Sequence, residues 1–190
     1  MPSVDLQKVG DGAAPDPGNS NAVGIGFNQT RNLLSINNGG TFYEVAVDGG
    51  LRMKETTITA AQIALLRATP ITVVPAPGAG KMNVFHSAVI LLDYVAPAFT
   101  ETSDNLLFKY TDGSGTAVSE IVEMTSFIDL TADNMTFAVP DGGAATVIAT
   151  KTQSENSVIV LHNNGDGEFG GSGGSALRVK VWYSVVSTGW

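Results

Sequence analysis

The sequence predicts an all-β protein: an antiparallel β-sandwich, jelly-roll-like in form, with one short helix and an extended N-terminal arm. Three observations predict it. About ten short apolar or alternating runs recur along the chain, each bounded by Gly, Pro, Asn or Asp. A single segment carries helix-start signals. Helices do not alternate with strands, which disfavours a parallel α/β sheet. No internal repeat of fixed period is present.

The elements follow in order. Residues 1–21 are rich in Gly, Pro, Asp and Asn and carry no sustained period, so they read as an arm ahead of one domain spanning 22–190. AVGIGF (22–27) and RNLLSI (31–36) are short apolar runs. RNLLSI, NNGG (37–40) and the alternating TFYEVAVD (41–48) read together as a β-hairpin. Thr59 and Gln62 form a capping-box pattern ahead of Ile63, Leu65 and Leu66, predicting a helix over 60–67 that Pro70 stops. ITVV (71–74) and the long run 81–95 flank the turn PAPGAG (75–80). LLFKYT (106–111), DGSG (112–115) and TAVSEIVEM (116–124) predict a second hairpin. SFIDLT (126–131) is ambiguous, whereas MTFAV (135–139), ATVIAT (145–150) and SVIVLHN (157–163) read as strands. A glycine-rich loop (164–175) leads to the last strand (176–186), with Leu177, Val179, Val181 and Tyr183 on one face and Arg178, Lys180 and Trp182 on the other.

The chain of 190 residues carries a formal charge of −8, and only 15 % of its residues are charged. An acidic chain with scattered basic residues is a poor match for nucleic acid or an anionic membrane. The low charge leaves Thr, Ser, Asn and Gly, or a partner, to cover the surface. No cysteine is present, which removes disulfides, thiolate metal sites and thiol nucleophiles. The polar N-terminal stretch lacks a signal-peptide core, and the apolar run SAVILL (87–92) is too short to span a bilayer, so the expectation is a soluble protein made in a cytoplasm.

Each chemical motif is incomplete. Gly80-Lys81 ends like a phosphate-binding P-loop, but Pro75 stands where the first glycine belongs and Met82 where the hydroxyl belongs. Gly165, Gly167 and Gly170 fit a dinucleotide loop, yet a strand follows where a helix is needed. Gly170 to Gly174 fits a nucleophile elbow around Ser172, but both histidines lie upstream. Asn164, Asp166 and Glu168 alternate like a calcium loop whose sixth position is Phe169 and twelfth is Ser175, neither of them the residue such a loop needs. His86 and His162 could share a metal only if strands 81–95 and 157–163 were neighbours, with Asp93 or Glu155 as a further ligand. Glu101, Asp104, Glu120 and Glu123 are the material for a glycosidase-type carboxylate pair. Asn28 and Asn134 head glycosylation-type triplets that matter only in a secreted protein. The expectation is therefore no catalytic residue, no cofactor and no metal. Trp190, at the terminus, reads as a residue that docks on a subunit or partner.

The segment TITAAQIALLRATPITVVPAPGAGKMNVFHSAVILLDY, 38 residues over 57–94, resembles small virion proteins of tailed bacteriophages: capsid decoration (cement) proteins and related head or tail fibres. NNGGTFYEVAVDGG adds a weaker likeness to fibre-type virion proteins. The resemblance implies a non-enzymatic homo-oligomer, usually a trimer, on the outer capsid surface of the virion. Its partner would be the major capsid protein lattice, and its role to stabilise the mature head. Val4, Leu6 and Val9 of the arm, with Trp190, are then the expected capsid or partner contacts. The alternatives are a head or tail fibre module that binds a host surface glycan, with the 164–175 loop as its tip, and a polysaccharide-cleaving enzyme.

Overall fold

The computed structural model of the chain describes residues 23–28, 33–38, 41–45, 49–141, 149–171 and 173–189. It is all-β, and every strand pair in it is antiparallel. The residues expected to form one domain from 22 onward divide between two compact units, Met1–Val47 and Asp48–Trp190. The expected arm lies outside the described residues.

In the first unit, β1 (Val23–Asn28), β2 (Leu33–Asn38) and β3 (Thr41–Val45) pair in chain order, β1-β2-β3. The predicted hairpin is the β2–β3 pair, with Asn38 opposite Thr41 and Leu34 opposite Val45. Among the described residues these three strands make one three-stranded sheet.

The second unit is a sandwich. One sheet has the order β4-β10-β6-β8, from β4 (Arg52–Ile58), β6 (Lys81–Asp93), β8 (Asn134–Ala138) and β10 (Ala176–Ser187). The other has the order β5-β9-β7, from β5 (Ile71–Val74), β7 (Leu106–Tyr110) and β9 (Ile159–Asn163). The core between them takes Ala88, Ile90 and Leu92 of β6 and Leu177, Val179 and Val181 of β10 from the first sheet. Val74, Phe108, Ile159 and Leu161 face them from the second. The rings of Phe85 and Phe108 sit 5.0 Å apart, centroid to centroid. Such tight packing of apolar side chains between two sheets drives the fold.

Several local details depart from the sequence expectation, each for a physical reason. Helix α1 is Ala60–Ile63, shorter than 60–67. Its capping box is present: the Thr59 N–H donates to Gln62 Oε1 at 2.9 Å. The α-helical pattern ends because the next amides tighten onto nearer carbonyls, Leu65 N–H to Gln62 at 3.1 Å and Leu66 N–H to Ile63 at 3.2 Å. Arg67 and Ala68 donate their backbone N–H groups to the Glu168 carboxylate, at 2.8 and 2.7 Å, and not to carbonyls one turn back.

A second helical turn, α2 (Lys151–Ser154), was not expected; Thr150 and Gln153 repeat the capping-box pattern that marks α1. Strand β4 was also not anticipated, because only Ile58 of it is buried and neither face is apolar. Lys54 and Glu55 suit it to a sheet edge. In β6 the core phase slips from Phe85 to Ala88, because Tyr183 pairs with Phe85 and Trp182 with Ser87, leaving His86 as the extra residue of a bulge. Tyr183 is consequently only half buried.

The second predicted hairpin is partly regular. After β7 the chain makes bridges at Lys109–Ala117 and Leu106–Val122. Residues 125–129 then form consecutive turns that bury Phe127 and Ile128. The strand expected at 145–150 lies mostly outside the described residues; its described end, Ala149 and Thr150, precedes α2.

Candidate functional site

The PAPGAG turn is built from its own chain. Gly78 and Gly80 adopt positive φ, 102° and 71°, which lets the chain reverse into β6. Their amide hydrogens point at side chains that follow α2. The Gly78 N–H donates to Asn156 Oδ1 and the Gly80 N–H to Glu155 Oε1, both at 2.9 Å. A phosphate-binding loop needs those N–H groups for phosphate. Here a carboxylate occupies that position, and its charge would repel an anion.

The glycine-rich loop is equally committed. Asn163, fully buried, donates from Nδ2 to the Gly167 carbonyl and accepts at Oδ1 from the Gly165 N–H, at 3.0 and 2.8 Å. Buried Asp104 accepts from the N–H groups of Thr102 and Gly167. Glu168 holds the two amides beyond α1, and Phe169 is buried in the core. Asn164 Oδ1 accepts from the Lys109 ammonium at 2.8 Å. Of the three calcium-loop positions read from the sequence, Asn164 and Glu168 therefore point to partners within the fold and Asp166 is exposed. Ser172 lies outside the described residues.

Strands β7 and β9 are buried on both faces. Their core-facing side carries Phe108 and Leu161; the other carries Leu107 and Lys109 opposite His162 and Val160. On that second side a compact polar cluster forms. Lys109, nearly buried, donates from Nζ to the Gly113 carbonyl and to Asn164 Oδ1, both at 2.8 Å. Burial lowers its pKa, and nearby Arg67 adds to this, against the pull of Asp112.

His162 packs beside it, 8 % exposed, and its Nδ1 has no hydrogen-bond partner. Gly113 lies so close that a Cβ there would stand 2.6 Å from Nε2. Burial, then Lys109 and Arg67, lower the His162 pKa; Arg67's carbonyl and Glu168 oppose this more weakly. The ring is thus held neutral among cations. Sequence reasoning missed this cluster, although one signal was visible: a lysine within the apolar run LLFKY.

The remaining candidates do not converge. His86 and His162 belong to different sheets, so they cannot share a metal. His86 is exposed and lies 2.9 Å from Ser184 Oγ. Asp93 binds Arg178 through both carboxylate oxygens, at 2.7 and 2.9 Å. That guanidinium holds the Asp93 carboxyl below its ordinary range. Glu101 accepts from the Asp104 N–H, and Glu123 from the Thr125 N–H and hydroxyl and the Met124 N–H. These bonds hold the Glu123 carboxyl low. No group of three His, Asp or Glu residues suited to a metal occurs among the described residues, nor is any helix among them long and apolar enough to cross a membrane. Val4, Leu6, Val9 and Trp190, the expected partner contacts, lie outside the described residues. No family model, no curated protein and no solved structure matches the chain.

Proposed function

We propose that this chain is a non-enzymatic structural protein of a bacteriophage virion: a capsid decoration protein that assembles as a homotrimer, binds the major capsid protein lattice and stabilises the mature head from outside. The observation that carries the reading is where the polar side chains go. Glu155, Asn156, Asp104, Asn163, Glu168 and Glu123 each bond backbone N–H groups of the chain itself. Groups engaged this way stiffen loops and are poorly placed for turnover. Further support comes from the segment 57–94, on which the virion resemblance rests. It runs through α1, β5 and β6 and so contributes a strand to each sheet of the sandwich. Binding energy gained only in the mature lattice then appears as shell stability.

The fibre reading is less well supported, since its proposed tip is tied down by Asn163, Asp104 and Glu168. The test is co-sedimentation of the purified chain with expanded shells that lack it, with light scattering for its mass. Saturable binding by a trimer is expected, and removal of residues 1–21 should abolish the binding while leaving the trimer folded. Failure to bind shells, with retention on host envelopes, would overturn the decoration reading in favour of a fibre module.

A further inference from the structure

The β4-β10-β6-β8 sheet turns one face to the core. The composition of its other face is unusual for a surface. The strand registers place its residues in rows: Met53–Trp182–Ser87, Glu55–Lys180–Val89–Phe137, and Thr57–Arg178–Leu91–Met135. At the β8 end the row is apolar and open to solvent: Phe137 is 64 % exposed, Met135 55 % and Val139 54 %. No charged residue occurs from Asn134 to Val139. At the opposite end Met53 is 52 % exposed beside Trp182. An apolar surface of this extent is a mark of an interaction site.

Charge decides what it meets. The charged side chains of these rows pair with one another or with Asp93 at the end of β6: Lys180 with Glu55 at 3.7 Å, and Arg178 with Asp93. Their sum is zero in a chain of formal charge −8. A nucleic acid or anionic membrane would need a basic face, and a basic partner an acidic one. Copies of one chain present like charges to each other, and the pairing of Glu55 with Lys180 and of Asp93 with Arg178, which Asp133 also approaches, leaves this face much less acidic than the chain as a whole. The acidic residues elsewhere are screened beyond about 8 Å at physiological salt.

We infer that this outer face is where copies of the chain meet, with Phe137, Met135, Val89 and Leu91 at the centre of the contact and the Lys180–Glu55 and Arg178–Asp93 pairs at its rim. The inference deepens the homo-oligomer part of the proposal above and rests on it.

Sedimentation of the full chain over a wide dilution range tests it, alongside Phe137→Lys and, as a control, Leu65→Lys, an exposed position beyond α1. Wild type and L65K should sediment as the same oligomer, and F137K as the monomer with an unchanged melting temperature. Peroxide oxidation of wild type supplies a readout that does not depend on a variant folding: Met53 and Met135 should oxidise severalfold more slowly in the oligomer than at dilutions that dissociate it. An oligomer that survives F137K with both methionines reactive overturns the inference and leaves the oligomer standing. A wild-type monomer at every concentration overturns both. A monomer with both methionines protected overturns both as well, in favour of cover by residues 1–47 of the same chain.

Discussion

The Glu168 carboxylate fastens the chain that follows α1, and removing it should have a cost that the geometry sets. It accepts two backbone N–H groups, from Arg67 and Ala68, at 2.8 and 2.7 Å. Both amides are solvent-accessible, so water replaces the carboxylate in part. Each bond is then worth about 1 kcal/mol net rather than the upper figure for a buried charged acceptor. Glu168→Ala should therefore cost about 2 kcal/mol. Glu168→Gln should cost about half that, because the carboxamide accepts one N–H and presents its own NH2 to the other. For a chain of this size the alanine change corresponds to a fall of about 4–8 °C in melting temperature. Urea titration followed by Trp182 fluorescence gives the free energies. Amide hydrogen exchange gives the location, and protection should fall at Arg67 and Ala68 first. If both variants stay within about 0.5 kcal/mol of wild type with those amides as slow as before, the carboxylate does not hold the segment after α1 and the reasoning is wrong.

The other predictions concern neighbouring features. His162 has its pKa lowered in the fold by burial and by Lys109 and Arg67, so the unfolded chain takes up the proton first. Its contribution to stability is complete above the unfolded value of about 6.5 and is lost as pH falls through the folded value. His162→Leu should flatten the slope of unfolding free energy against pH on the acid side of 6.5, and an unchanged slope would refute it. Burial pushes the Tyr110 hydroxyl up to about 12, and it donates to the Asn83 carbonyl. Stability should thus fall as pH rises from about 10 toward 12, and Tyr110→Phe, losing about 1 kcal/mol at neutral pH, should remove that dependence in alkaline urea titrations. Gly78→Val forces a β-branched residue to φ near 102° and should cost about 1–3 kcal/mol, read as a lowered melting temperature.

Much of the sandwich was legible because its strands obey a period of two. Leu177, Val179 and Val181 alternate with Arg178 and Lys180, and the structure buries the first set. The Thr59–Gln62 box placed α1 for the same reason: its chemistry is local. What could not be read depends on residues distant in sequence. The chain after α1 is held at Arg67 and Ala68 by Glu168, about a hundred residues away. The bulge at His86 appears only when β6 is paired with β10. Strand β4 has no apolar period, because an edge strand with one buried residue needs none. The Lys109–His162 cluster escaped notice because burying a lysine requires covering segments that no local pattern announces.

The same long-range logic explains how an acidic, charge-poor chain divides its surface. Loops tend to move unless something satisfies their backbone amides. In this chain carboxylates and carboxamides do so at the PAPGAG turn, at the glycine-rich loop and after α1. Glu155 and Glu168 each direct their charge into the backbone amides of a loop distant in sequence. The charged side chains along the outer rows of the large sheet are likewise paired with one another or with Asp93. Between stiffened loops and a self-neutralised sheet, the surface with most to gain from a partner is the row through Val89 and Phe137, where about 25 cal/mol is available for each Å² of apolar area removed from water. Covering that row would add stability, which is what the proposed assembly would supply.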